Sequence, residues 1–145
     1  MSNILFRSQA IVQLFVGLGA VASGVLLIIA PSGSLLQMSP GQLQGTPFSD
    51  FLVPGVILVL VNGVGQCVAG FLSFRKHRSA GYVGAVFGFG LMIWIFVQVN
   101  LIGGGHWLQY SYFALGVLET ALAFLVQDHL SATSTRAGIP SLDPP

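Results

Sequence analysis

The chain has 145 residues, of which 54% are hydrophobic and only 6% charged, with five basic against four acidic side chains. A soluble domain holds about a quarter of its residues as charge, so this set and a mean hydropathy of +0.85 exclude a soluble globule, a nucleic-acid binder and a disordered chain. The composition predicts an all-α integral membrane protein.

Four apolar segments follow one another, each near the roughly 20 residues needed to cross about 30 Å of hydrocarbon. They run from Gln9 to Ala30, Asp50 to Phe74, Ser79 to Ile102 and Trp107 to Gln127. The first is too long for a signal peptide, and Pro31-Ser-Gly-Ser offers no small-residue cleavage site, so it is read as an uncleaved span. Nothing alternates with period two, which argues against a β-barrel. Residues 1–130 thus form a four-helix transmembrane domain, and the Ser/Thr/Pro-rich stretch 131–145 reads as a disordered cytoplasmic tail.

Orientation follows from the cations. Arg7 precedes the first span, Arg75, Lys76 and Arg78 fill the second junction, and Arg136 follows the fourth. The junctions Pro31–Ser49 and Gly103–His106 hold no Lys or Arg. All five positive charges fall on one side, so the positive-inside rule places both termini in the cytoplasm of a cell (inner) membrane protein. Pro31–Ser49 is then the only outer loop long enough to form a lid. At its end Ser49 or Asp50 is suited to cap the second helix, and Asp50 also suits the helix dipole there.

Small residues recur at four-residue spacing: Ala80, Gly84 and Gly88 in the third span, Gly19 with Ser23 and Ala20 with Gly24 in the first. Such faces let helices approach closely in lipid, either inside one subunit or against another. A weak internal repeat also shows. Gly19-Ala-Val matches Gly84-Ala-Val, and Gly63-Val-Gly-Gln66 matches Gly116-Val-Leu-Glu119, which is the pattern of a duplicated helical hairpin.

Ionisable and amide side chains inside the membrane are costly, and each is a functional candidate. Glu119 lies about 20 Å in from the outer end of its span at 1.5 Å per residue. Asn62 lies about 18 Å in, and Gln66 one turn deeper on the same face. A Glu there either ties helices together through Gln66 or Asn62, or takes part in ligand binding and proton coupling. Nearer the outer surface, Trp94, Gln98 and Tyr110 are expected to wall an outward-opening pocket with Glu119 at its floor. Trp107 and Tyr112 read as interfacial anchors. The lone Cys67 permits no internal disulfide and reads as an inert buried thiol. The three dispersed histidines offer no haem pair or metal set, and no nucleophile triad or phosphate-binding loop is visible. No catalytic residue, metal or cofactor is expected.

The stretch Pro47-Phe-Ser-Asp-Phe-Leu-Val-Pro-Gly-Val-Ile-Leu, continuing through Arg75 to Gly84, resembles small uncharacterised bacterial four-span proteins that are broadly DoxX-like. The resemblance covers about half of the chain and implies the four-helix architecture. It supplies no catalytic residues. Two functional classes remain from the sequence. One is a protein binding or transporting a small apolar or amphiphilic ligand through Glu119, Gln98, Trp94, Tyr110, Asn62 and Gln66. The other is a non-catalytic assembly subunit, packing against a copy of itself or another membrane protein. Membrane lipid is a partner in either case.

Overall fold

The apolar runs become four helices in the computed structural model, which describes residues 2–137; among these residues there is no strand. Helix α1 spans Ser2–Ile29, α2 Leu52–Phe74, α3 Ala80–Ile102 and α4 Trp107–Ala137. Each is long and apolar enough to cross a membrane.

Two boundaries differ from the sequence reading, for separate reasons. Helix α1 begins at Ser2, a full two turns before Gln9, because Phe6 is buried against Ala80 and Val126. That contact anchors a polar first turn which hydropathy alone does not recognise. Helix α4 runs to Ala137, past Leu130, where the sequence placed the start of a disordered tail. Thr133 Oγ1 donates to His129 O at 2.8 Å and Thr135 Oγ1 to Ser131 O at 3.1 Å. Hydroxyls that bond back one turn keep their hydrogen bonds inside the helix, so the Ser/Thr run need not leave it. The rest of that tail, residues 138–145, lies outside the described residues.

The helices run up and down. Phe6, Ala80 and Val126 meet at one end, with Leu5 and Leu130 packed on them. Leu27, Leu43 and Phe51 meet at the other, beside Ile102. The Arg75–Arg78 turn therefore shares an end with the start of α1 and the far half of α4, here termed the basic end. The segment 31–51 and the Gly103–His106 turn share the opposite, or loop, end.

Segment 31–51 is ordered by local chemistry. Phe51 N–H bonds Pro31 O at 2.9 Å and closes its base. Two short 3₁₀ turns, Ser34–Leu36 and Pro40–Leu43, shape the middle. Ser39 Oγ accepts from Gly41 N–H while Ser39 N–H donates to Gln42 Oε1, a reciprocal cap. Asp50 Oδ1 accepts from Leu52 N–H at 2.9 Å, so Asp50 satisfies the first amide of α2 from one residue before the N-cap, Phe51. Gly33 has φ +79°, and a Cβ there would lie 2.9 Å from Met38 Cβ and 3.0 Å from the Phe51 ring. Gly33→Ala is expected to cost about 1–2 kcal/mol locally and to speed limited proteolysis within 31–51 several-fold. Unchanged cleavage would show that this turn does not hold the segment down.

Small residues set the helix contacts. A Cβ on Gly17 would lie 2.8 Å from Cys67 Sγ and 3.0 Å from Gly63 O, and one on Gly24 2.8 Å from Gly55 O. These positions bring α1 onto α2. Between α3 and α4, a Cβ on Gly88 would lie 2.9 Å from Thr120 N and 3.1 Å from Gly116 O. Of the small residues read in the sequence, Gly24, Gly84 and Gly88 thus close contacts within the chain, whereas Gly19, Ala20 and Ser23 border a cavity.

The two hairpins do not pack in the register the repeat requires. The first pairs Gly63 with Val21, and the second pairs Gly116 with Met92. The sequence match equates Gly63 with Gly116 and Gly19 with Gly84, which would place Val86, not Met92, beside Gly116. Gly63 and Gly116 do hold equivalent places, because a Cβ on Gly17 meets Gly63 O and Cys67 N as one on Gly88 meets Gly116 O and Thr120 N, whereas the matched Gly19 and Gly84 do not.

Candidate functional site

Four tapering helix ends and the 31–51 segment enclose a cavity of about 820 Å³ at the loop end. Its apolar wall includes Leu27, Phe51, Leu58, Leu91 and Ile95; Trp94 and Gln98 of α3 join it, and Asn62 of α2 contributes at mid-helix depth. Gln37, Gln42 and His106 line it from the loop and turn. Asn62 is 2% exposed, and its Nδ2 has no hydrogen-bond partner. It stands within Leu58–Val64, a π-helical segment whose widened turns carry Gly65 N–H back to Leu60 O. Such insertions gather at functional sites because they re-aim side chains and loosen the backbone ladder.

Three of the six side chains expected at the site meet here: Trp94, Gln98 and Asn62. Tyr110 does not. It is 66% exposed and lines a shallow apolar groove with Phe96, Val99 and Phe113 on another face of α4. Helical phase is the reason. The inward face of α4 runs Gln109, Tyr112, Gly116, Thr120 and Ala123 at spacings of three and four, and Tyr110 is off that line. Tyr112, read as an interfacial anchor, lines the cavity instead, and its hydroxyl reaches to within 2.6 Å of where a Gly19 Cβ would stand.

Glu119 and Gln66 also lie outside the cavity wall. Both are fully buried in a polar layer toward the basic end. Gln66 Nε2 donates to Glu119 Oε2 at 2.7 Å and is 3.5 Å from Phe87 O. Two residues unmarked by the sequence reading complete this layer from α1. Gln13 adjoins the Glu119 carboxyl and accepts from Ser73 Oγ at 2.7 Å. Gln9 Nε2 donates to Ala80 O at 3.0 Å. Gly84 makes room for them: a Cβ there would collide with the Gln9 amide and lie 3.1 Å from Gln13 Nε2. Gln9 Oε1, Gln13 Nε2, Gln66 Oε1 and Glu119 Oε1 are buried without partners. Away from water each unpaired polar group is costly, and the close packing around this layer holds it in place.

The signal for Gln9 and Gln13 was present, as two amides one turn apart in an apolar run. With the span started at Gln9, Gln9 stood at its apparent boundary and Gln13 one turn in, rather than about 10 and about 16 Å inside the helix. Among the described residues, no three His, Cys, Asp or Glu side chains stand close enough to share a metal ion.

No family model, curated protein or solved structure matches the chain.

Proposed function

We propose that the protein lies in the inner membrane with both termini cytoplasmic and binds or carries a small apolar or amphiphilic molecule in the loop-end cavity, which then faces outward. The five cations at the basic end support this orientation. One observation carries the binding reading: a cavity of about 820 Å³ whose deep wall holds a buried, unpartnered amide at Asn62. Ligand pockets are mostly apolar clefts of about 300–1,000 Å³ with a few placed polar groups. Trp94, Gln98 and Asn62 contact the ligand in this reading. Gln66 and Glu119 act beneath it by tying α2 to α4 through their hydrogen bond, one turn below Asn62.

The assembly-subunit alternative needs a free small-residue face. Gly17, Gly24, Gly84 and Gly88 are all engaged inside the chain, so the observations favour binding.

Ala20→Leu and Ser23→Phe each place a larger side chain into the cavity wall. Titration with the fluorescent apolar probe N-phenyl-1-naphthylamine should show saturable binding to the native protein in nanodiscs, weakened by about tenfold, or 1.4 kcal/mol, in either variant. Non-saturable partition alone, or equal affinity in all three proteins, would reject the reading.

A further inference from the structure

We propose that the ligand of this cavity is an uncharged amphiphile that sets a hydroxyl, ether or carbonyl oxygen against Asn62, with its apolar body lying along Trp94 toward the loop end. This rests on the binding reading above and adds the charge class and orientation of the bound molecule.

The wall decides the charge. No Asp, Glu, Lys or Arg is among the residues lining the cavity. Its polar groups are the neutral amides of Asn62, Gln98, Gln109, Gln37 and Gln42, the Ser23 and Tyr112 hydroxyls, the Trp94 indole N–H and the His106 ring. Asp50, next to the wall residue Phe51, is outside the lining and accepts from Leu52 N–H, and Glu119 in the layer below is fully buried and already bonded to Gln66. Arg75, Lys76 and Arg78 belong to the opposite end of the bundle. An anionic or cationic head moved into this space would surrender its hydration with no opposite charge to replace it. A neutral oxygen loses far less, and one hydrogen bond compensates it.

Asn62 decides the orientation. Its amide is the deep polar member of the wall, 2% exposed, with Nδ2 unpartnered. A terminal amide turns over without disturbing its neighbours, so it can present the donor to a ligand oxygen. Above it, Leu58, Leu91, Trp94 and Ile95 form an apolar collar that suits a hydrocarbon or ring body.

The test uses one chain with four heads: ω-bromoundecanol, its tert-butyl ether, ω-bromoundecyl trimethylammonium and ω-bromoundecyl sulfonate. The ether and the ammonium have nearly equal bulk and differ in charge. Quenching of Trp94 is read in nanodiscs on a Trp107→Phe background, since Trp107 is 67% exposed and lies off the cavity wall. The alcohol and ether should quench saturably, with affinities at least about tenfold above the two charged probes. Asn62→Leu should weaken the alcohol about fivefold or more while leaving unsubstituted bromoundecane unchanged. Equal quenching by the charged probes would overturn this inference while leaving the binding reading intact. If no probe quenches saturably, the cavity is not a binding site and both readings fall. An Asn62→Leu protein that binds the alcohol normally would remove Asn62 from its assigned role. The four-probe comparison needs no change at Asn62, so it decides the charge class even if that variant does not fold.

Discussion

Replacing Gly88 with alanine should destabilise the folded bundle by about 1–3 kcal/mol, whereas the same change at Gly90, half a turn away, should be neutral or mildly stabilising. At Gly88 the new Cβ would lie 2.9 Å from the Thr120 backbone nitrogen and 3.1 Å from the Gly116 carbonyl oxygen. Backbone atoms cannot rotate aside as a flexible side chain can, so α3 and α4 must separate. At Gly90 nothing lies within 4 Å of the added carbon, and alanine gains helix propensity of up to about 1 kcal/mol. The two variants have the same composition and hydropathy, so any difference between them reports packing alone. Unfolding in mixed micelles under a denaturant gradient measures it. A Gly88→Ala protein as stable as Gly90→Ala would show that the α3–α4 contact is not the close one described.

Removing either partner of the Gln66–Glu119 pair should cost about 1–3 kcal/mol, and removing both should cost less than the sum. Gln66→Leu takes away the donor 2.7 Å from Glu119 Oε2 and leaves a fully buried carboxyl group with Gln13 alone beside it. Glu119→Leu strands the Gln66 amide in the same way. The double leucine variant removes both polar groups and fills the space with apolar atoms, so the second substitution repairs part of the first. The coupling energy expected from a four-variant unfolding cycle is about 1 kcal/mol, in the range of hydrogen bonds between helices in membranes. Strictly additive losses would mean that the pair contributes nothing as a pair. Cavity binding gives a second readout. Because Gln66 and Glu119 are not in the wall, folded variants should keep saturable probe binding, with changes of only a few-fold. A complete loss of binding in a stable Glu119→Leu protein would place the carboxyl group in contact with the ligand.

The polar residues show where one-dimensional reading succeeds. Glu119, Gln66 and Asn62 stood out because amide and carboxyl groups are rare in apolar runs, and depth could be counted at a fixed rise per residue. Their mutual placement on α2 followed from i, i+4 spacing. Trp94 and Gln98 share a face for the same reason, and both reach the cavity. Tyr110 and Tyr112 show the opposite case. Two residues apart on a helix, they differ by more than half a turn, and which of them faces inward depends on how α4 is rotated against α1 and α3. Composition does not contain that rotation. Gln9 and Gln13 were concealed by a boundary, since the first two turns of α1 are held by Phe6 on Ala80 and Val126, partners more than seventy residues distant in sequence.

By itself, the sequence determined the number of helices long and apolar enough to cross a membrane, their approximate limits, the gathering of the cations at one end and the depth of Asn62, Gln66 and Glu119. These properties sum along a single segment, so no knowledge of neighbours is needed. Only the tertiary structure decided that the polar set divides into a cavity wall and a closed layer beneath it, that Tyr112 rather than Tyr110 lines the cavity, and that Gly88, not Gly84, takes in the second hairpin the place that Gly17 takes in the first. Helices slide and turn against one another until backbone atoms touch, and glycines such as Gly17, Gly63, Gly88 and Gly116 fix where that happens. A rotation of one residue, about 100°, is enough to exchange an outward-facing side chain for an interior one.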